Sequence, residues 1–257
     1  MQIITKSSKG HHTKKLCIIT GVHGNEAFLF NYLKEYIKEI NENIEIKLIL
    51  ANDQAAEKNI RFIDQDLNRA FNSKNTNHES NLAKELMQHV EGDLILDLHT
   101  HTSNEQFSLV SQENKENIQA FIEILGMDNS IIVTTNLTQK SSLIENFSNA
   151  LSIETGPHNS IKAVLCAKDI IKKAINYLEK KDQQKSEVSF LIAKEFIYNL
   201  SDKNIIINEK IKNFSKVYKN ENLSKNIIAN EDFIPVLVSR VVNPGRKILL
   251  KCLEEQK

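Results

Sequence analysis

Apolar positions in this chain fall into short dense runs separated by amphipathic stretches, and the two patterns alternate. Leu16 to Thr20 is a run stopped by Gly21, which predicts a buried strand. From Ala27 to Ile40 the spacing changes, with Phe30, Leu33, Ile37 and Ile40 recurring at helical intervals. Ile44 to Ala51 is strand-like again. A polar segment from Asn52 to Thr76 then leads to a predicted helix carrying Leu82, Leu86, Met87 and Val90 and ended by Gly92. Leu94 to Leu98, interrupted only by Asp97, and the β-branched run Ile131 to Thr135 read as strands buried on both faces. Leu151 to Ile153 is another, with Gly156 and Pro157 as its stop, and a long helix is predicted over Ile161 to Leu178.

Strands alternating with helices predict an α/β fold built on a mixed, largely parallel sheet with helices on both faces. After the lysine-rich stretch Lys180 to Glu187 the rhythm changes. Short apolar runs follow at Phe190 to Ile192, Ile205 to Ile207, Ile234 to Val238 and Ile248 to Leu250, punctuated by Asn243, Pro244 and Gly245. This divides the chain into a main domain, residues 1–182, and a smaller β-rich C-terminal domain, residues 183–257.

Composition narrows the function classes. A chain of 257 residues can bury a sizeable core without disulfides. Its 33 basic and 33 acidic residues cancel, which argues against nucleic acid as a partner. Cys17, Cys166 and Cys252 lie far apart and in no paired spacing, which speaks for a reducing compartment and against a thiolate zinc site. No apolar run approaches the roughly 20 residues that span a bilayer, and the stretch at Leu16 to Ile19 is too short for a signal-peptide core. The expectation is a cytoplasmic protein without a membrane partner. A homo-oligomer is compatible with the sequence and not required by it.

The chemistry gathers at strand ends. In GVHGNE, His23 and Glu26 stand three apart directly after a predicted strand, where an open sheet places its crevice. Two histidines and a glutamate are an established zinc set that leaves a position for water. His99, closing the strand LILDLH, is the expected third donor, with His101 as its rival on the same side of an extended strand. Asp97 is placed either to orient a ligand ring or to satisfy backbone donors. His11, His12, His78, His89 and His158 read as surface residues. Nitrogen and oxygen donors also accept iron or cobalt. Only four arginines occur, and two of them, Arg61 and Arg69, share the segment RFIDQDLNR with Asp66 and Asn68. Such a loop suits a carboxylate or a developing oxyanion. Glu154, closing LSIE, is a candidate general base.

Together GVHGNE, ANDQAAEKNIRFIDQDLNRAF, LILDLHTHTSN and SIETGP, in this order, resemble the aspartoacylase and succinylglutamate desuccinylase family of the zinc carboxypeptidase superfamily. The resemblance implies a carboxypeptidase-like catalytic domain whose entrance is narrowed by the C-terminal domain. It also implies one zinc ion per chain held by His23, Glu26 and His99, with Glu154 as general base. Arg61 matches the residue that polarises the scissile carbonyl, while Asn68 and Arg69 match the pair gripping the substrate's α-carboxylate. The implied substrate is a small N-acyl amino acid. A peptide-trimming metallocarboxypeptidase and a non-catalytic binding module on the same fold are the alternatives. The tyrosine and arginine with which aspartoacylase recognises the aspartate side chain have no counterpart in LTQKSSLIENFSNA, where Lys140 is the nearest cation, and the family's late substrate-contacting tyrosine has no clear match.

Overall fold

The computed structural model describes residues 1–8, 13–239 and 241–255, so His11, His12 and Arg240 lie outside the described residues. The chain opens with β1 (Gln2–Lys6) and β2 (Lys15–Thr20), then α1 (Phe28–Glu39), β3 (Glu45–Leu50) and α2 (Asp53–Glu57). It continues through α3 (His78–His89), β4 (Leu94–His101), β5 (Phe107–Ser111), α4 (Lys115–Leu125) and β6 (Asn129–Val133). Next come α5 (Thr135–Thr138), β7 (Ala150–Pro157), α6 (Ile161–Leu178) and β8 (Ser189–Tyr198). The last part holds β9 (Ile205–Ile206), β10 (Asn222–Ser224), β11 (Ile227–Ile228), β12 (Ile234–Val236), β13 (Val241–Val242) and β14 (Lys247–Glu254).

Ten strands form one sheet in the order β1-β3-β2-β4-β7-β5-β6-β8-β14-β12. The pairings from β3 to β7 and from β5 to β8 are parallel, while β1, the β7–β5 pair and the last two strands run antiparallel. This is the mixed, largely parallel sheet expected from the alternation. Residues after 182 supply β8, β14 and β12 to that sheet, and two small antiparallel ribbons, β10–β11 and β13–β9, lie beside it. A separate apolar cluster that includes Ile211, Val217, Leu223, Phe233 and Leu249 packs this region.

Side-chain alternation gives each strand two jobs. On β2, Leu16 and Ile18 pack with α1, α4 and α6, whereas Cys17 and Ile19 turn to the other face and meet α3. β4 divides the same way, with Leu94, Leu96 and Leu98 towards the first layer and Ile95 towards the second. Asp97 and His99 share the parity of Ile95, so the pleat delivers both to the α3 side. Glu154 has the parity of Ala150 and lies opposite His99 in the parallel register.

Several boundaries differ from the pattern-based reading. β1, β5 and α4 are additional elements. The helix before Gly92 stops at His89, with Val90 already extended. β7 does not stop at Glu154 but runs on through Gly156 and Pro157, because β4 keeps pairing with it as far as His101. Glu154 is therefore internal to a strand and flanked on both sides, by His99 of β4 and Phe107 of β5. Among the described residues no helix is long and apolar enough to cross a membrane.

Candidate metal centre

The turn after β2 presents the first two donors. Gly21 adopts φ +61°, where a side chain would be strained, and redirects the chain. At Gly24 a Cβ would lie 2.3 Å from the Ala55 carbonyl carbon, so only glycine lets this turn sit against α2. A single tight turn, closed by the Glu26 amide donating to the His23 carbonyl at 2.9 Å, then aims both side chains the same way. His99 arrives from β4. One donor atom from each of His23, Glu26 and His99 lies within 4.8 Å of the others, and all three residues are buried.

The hydrogen-bond chemistry of this group fits a divalent cation. His23 faces Glu26 Oε1 through Nδ1 at 2.8 Å and Asp66 Oδ1 through Nε2 at 3.2 Å. His99 faces Glu26 Oε2 through Nδ1 at 2.9 Å and Asp97 Oδ2 through Nε2 at 2.9 Å. A neutral imidazole has one N–H, so it cannot donate in both directions. If each Nε2–H donates to its outer aspartate, each Nδ1 lone pair turns towards Glu26, and acceptor meets acceptor. A cation among the three removes that conflict; without one, His99, held between two carboxylates, must carry an added proton to donate to both. Accordingly, although burial works against charge, Glu26 raises the His23 pKa, and Asp97 with Glu26 holds that of His99 well above its usual value. Burial likewise opposes ionisation of Glu26, but the two rings pull its pKa well below the carboxylate range.

His101 does not join the group. The pairing of β4 with β7 slips between His99 and His101, and this irregularity turns the second ring away. Its Nε2–H donates to the Glu105 carbonyl at 2.8 Å while Nδ1 accepts from Ser103. Asp97 serves the His99 ring rather than backbone donors. His158 is not a simple surface residue: it is half-buried, bonded to the Thr100 hydroxyl at 2.7 Å, and lines the pocket mouth.

The loop carrying Arg61 to Arg69 closes one side. Arg61 donates to Asp66 Oδ2 at 3.0 Å, Asn68 reaches within 3.5 Å of His99 Nε2, and both line the cavity with Arg69. Arg61 Nη2 also approaches His23 Nε2 at 2.8 Å. That contact is a hydrogen bond in the opposite His23 tautomer, the one that donates from Nδ1 to Glu26. Glu154 completes the wall. Its pKa is raised to about 7, chiefly by burial, with the His99 charge opposing and the Glu26 charge adding to the rise. Its Oε2 is buried without a hydrogen-bond partner.

A sequence profile described as succinylglutamate desuccinylase/aspartoacylase catalytic domain matches residues 12–176. The chain belongs to this family. A probable aspartoacylase of Prochlorococcus marinus is 38% identical over 108 residues, covering 38% of this chain and 37% of the relative. The aspartoacylase of Rattus norvegicus is 27% identical over 203 residues, 67% of this chain and 65% of the relative. The matched part thus spans less than two thirds of these curated relatives. Succinylglutamate desuccinylase of Chromobacterium violaceum superimposes with a TM-score of 0.75 at 16% identity, covering 99% of this chain and 89% of that one, a likeness of fold.

Two residues of this family member's site escaped the sequence reading. Glu79, in the first turn of α3, is buried and accepts from the amides of Ile63, Asp64 and Gln65 and from Asn52 Nδ2, at 2.7 to 3.1 Å. It thereby ties down the Arg61–Arg69 loop. Burial opposes its ionisation, yet these four donors keep its pKa below the ordinary value. Its contribution to stability is complete above the unfolded carboxylate pKa of about 4.3 and is lost as pH falls through the lower folded value. Glu79→Ala is expected to cost about 4 kcal/mol in urea unfolding, because four donors lose one charged acceptor. The variant should also lose part of the acid-side slope of stability; an unchanged unfolding midpoint would contradict the clamp.

The second is Lys247, at the start of β14. Its Nζ lies 3.8 Å from the centre of the Phe196 ring, and the Arg69 guanidinium carbon lies 5.4 Å from the same ring. Burial lowers its pKa to about 7, with the charges of Arg69 and Arg61 adding to the fall. Three cations therefore converge on one cavity.

Proposed function

We propose that this protein is a zinc-dependent amidohydrolase that cleaves a small N-acyl amino acid into a carboxylic acid and a free amino acid. The observation that carries this reading is Glu154, whose Oε2 is buried without a partner and which stands in strand register with His99 of the buried His–Glu–His donor group. Bound there, zinc would supply Lewis acidity to water and to the amide carbonyl.

The chain's own residues supply the rest. Glu154 takes the proton of the attacking water as the carbon–oxygen bond forms, and returns it to the amine nitrogen as the carbon–nitrogen bond breaks. A carboxyl group raised towards neutrality suits both halves of that transfer. Arg61, steadied by Asp66, donates to the carbonyl oxygen as negative charge develops. Asn68 and Arg69, with Lys247 against the same Phe196 ring as Arg69, hold the substrate's carboxylate. An anion arriving between these cations favours the protonated form of Lys247, so binding also strengthens its own clamp.

A panel of N-acetyl, N-formyl and N-succinyl amino acids, assayed beside dipeptides with zinc supplied, tests the proposal. Hydrolysis of the N-acyl amino acids by protein holding one zinc per chain is the expected result. Purified protein that takes up no zinc, or that cuts only peptides, would refute it.

A further inference from the structure

Two chambers meet at the centre. An inner one of about 120 Å³ and an outer one of about 760 Å³ share His23, Arg61, Asp66, Arg69, Glu154, Leu237 and Lys247. Asn68 lines only the inner chamber, whereas His101 and His158 line only the outer. On the amidohydrolase reading, the half of the substrate that carries the α-carboxylate therefore faces inward, and its acyl group faces the wide outer chamber.

The inner wall is apolar. Leu109, Val133, Leu137, Ile144, Phe196 and Leu250 form it, drawn from β5, β6, α5, β8, β14 and the turn before β7. All three cations belong to the shared junction, where the α-carboxylate binds. Confined to the inner chamber are Asp97 and His99, paired with each other, and no lysine or arginine. Lys140, on the loop beside this wall, points out and pairs with Glu113 at 3.0 Å. Of the three hydroxyls that line the inner chamber, those of Thr138 and Ser142 donate to Glu145, and Ser152 adds one uncharged polar group.

We infer that the inner chamber selects an uncharged aliphatic or thioether side chain on the substrate amino acid, and that it rejects aspartate and glutamate. This inference rests on the proposed amide hydrolysis. A carboxylate pushed past the junction would lose its water to an apolar wall that offers no lysine or arginine in exchange, whereas a leucine or methionine side chain gains by burial.

The test compares kcat/KM for N-acetyl-leucine and N-acetyl-methionine with those for N-acetylaspartate and N-acetylglutamate, using the zinc-loaded protein. The aliphatic pair is expected to lead by about 100-fold. Calorimetry on zinc-loaded Glu154→Gln reads binding without turnover and should give heat with N-acetyl-methionine and none with N-acetylaspartate. Leu137→Arg, which places a guanidinium in the inner wall, should narrow the kinetic ratio by about 10-fold. If that variant fails to fold, the wild-type ratio and the calorimetry still decide. Equal or better hydrolysis of N-acetylaspartate overturns the inference alone. Absence of both hydrolysis and binding across the panel, with zinc in place, overturns the amidohydrolase reading and this inference with it.

Discussion

Glu154→Gln is expected to lower kcat by about 1,000-fold while the protein still takes up one zinc ion per chain, if Glu154 is the proposed general base. The substitution keeps the shape and the strand register of the side chain, so the His23, Glu26 and His99 donors stay where they are. What disappears is the group proposed to accept and return a proton. The pH profile provides an independent check. A base works only when deprotonated, so the wild-type rate rises as pH rises through the pKa of Glu154. Without a cation that value stands at about 7, and a divalent ion nearby favours the carboxylate, so the acid limb should fall below neutrality. In the glutamine variant that limb should vanish. Wild-type turnover, or an unchanged acid limb, would remove Glu154 from the mechanism.

The second large effect is on metal retention. His99→Ala is expected to abolish zinc uptake and reduce hydrolysis to background, whereas His101→Ala should retain zinc through dialysis against a weak chelator. His99 contributes one of three buried donors, while His101 is turned away and bonded to Glu105. Losing the His99 ring also leaves Glu26 and Asp97 without a shared partner. Buried carboxylates stripped of counter-charge are costly, so the variant should melt below the wild type even when both are metal-free. In the wild type, chelation should itself lower the melting temperature, because an ion bound only by the folded state stabilises it by mass action. Elemental analysis after dialysis, with thermal unfolding alongside, measures both effects. Zinc retained by His99→Ala would exclude the proposed centre.

The parts of this architecture that were legible in the sequence are those with local signatures. β2, α1 and α6 show their periodicity plainly, and His23 with Glu26 lie within one turn that carries Gly24 and follows Gly21. His99 was legible because it closes an apolar run. Its separation from His101 was not, since only the slipped β4–β7 pairing decides which ring faces the centre. Gly156 and Pro157 suggested the end of a strand, but a partner with unspent pairing capacity carried β7 past them. Glu79 looked like any acid in a first helical turn, and its importance arises from three amides of a loop well before it in sequence. Lys247 was one lysine among many in a lysine-rich tail. Its setting depends on β14 lying beside β8, a tertiary fact with no local signal. The missed helix α4 is different, because Ile118, Phe121, Ile122 and Leu125 do show helical spacing.

Extension of the sheet by β8 and β14 has a consequence for how such a protein diversifies. The donors and Glu154 come from the first 154 residues, while Phe196, Lys247 and Leu250 reach the cavity from strands near the end. Mutations in those late strands can reshape what the molecule accepts and leave its reactive machinery untouched. On the proposed function, part of the molecule's appetite is thereby encoded in a stretch of the gene apart from its cutting power, free to evolve at a different speed.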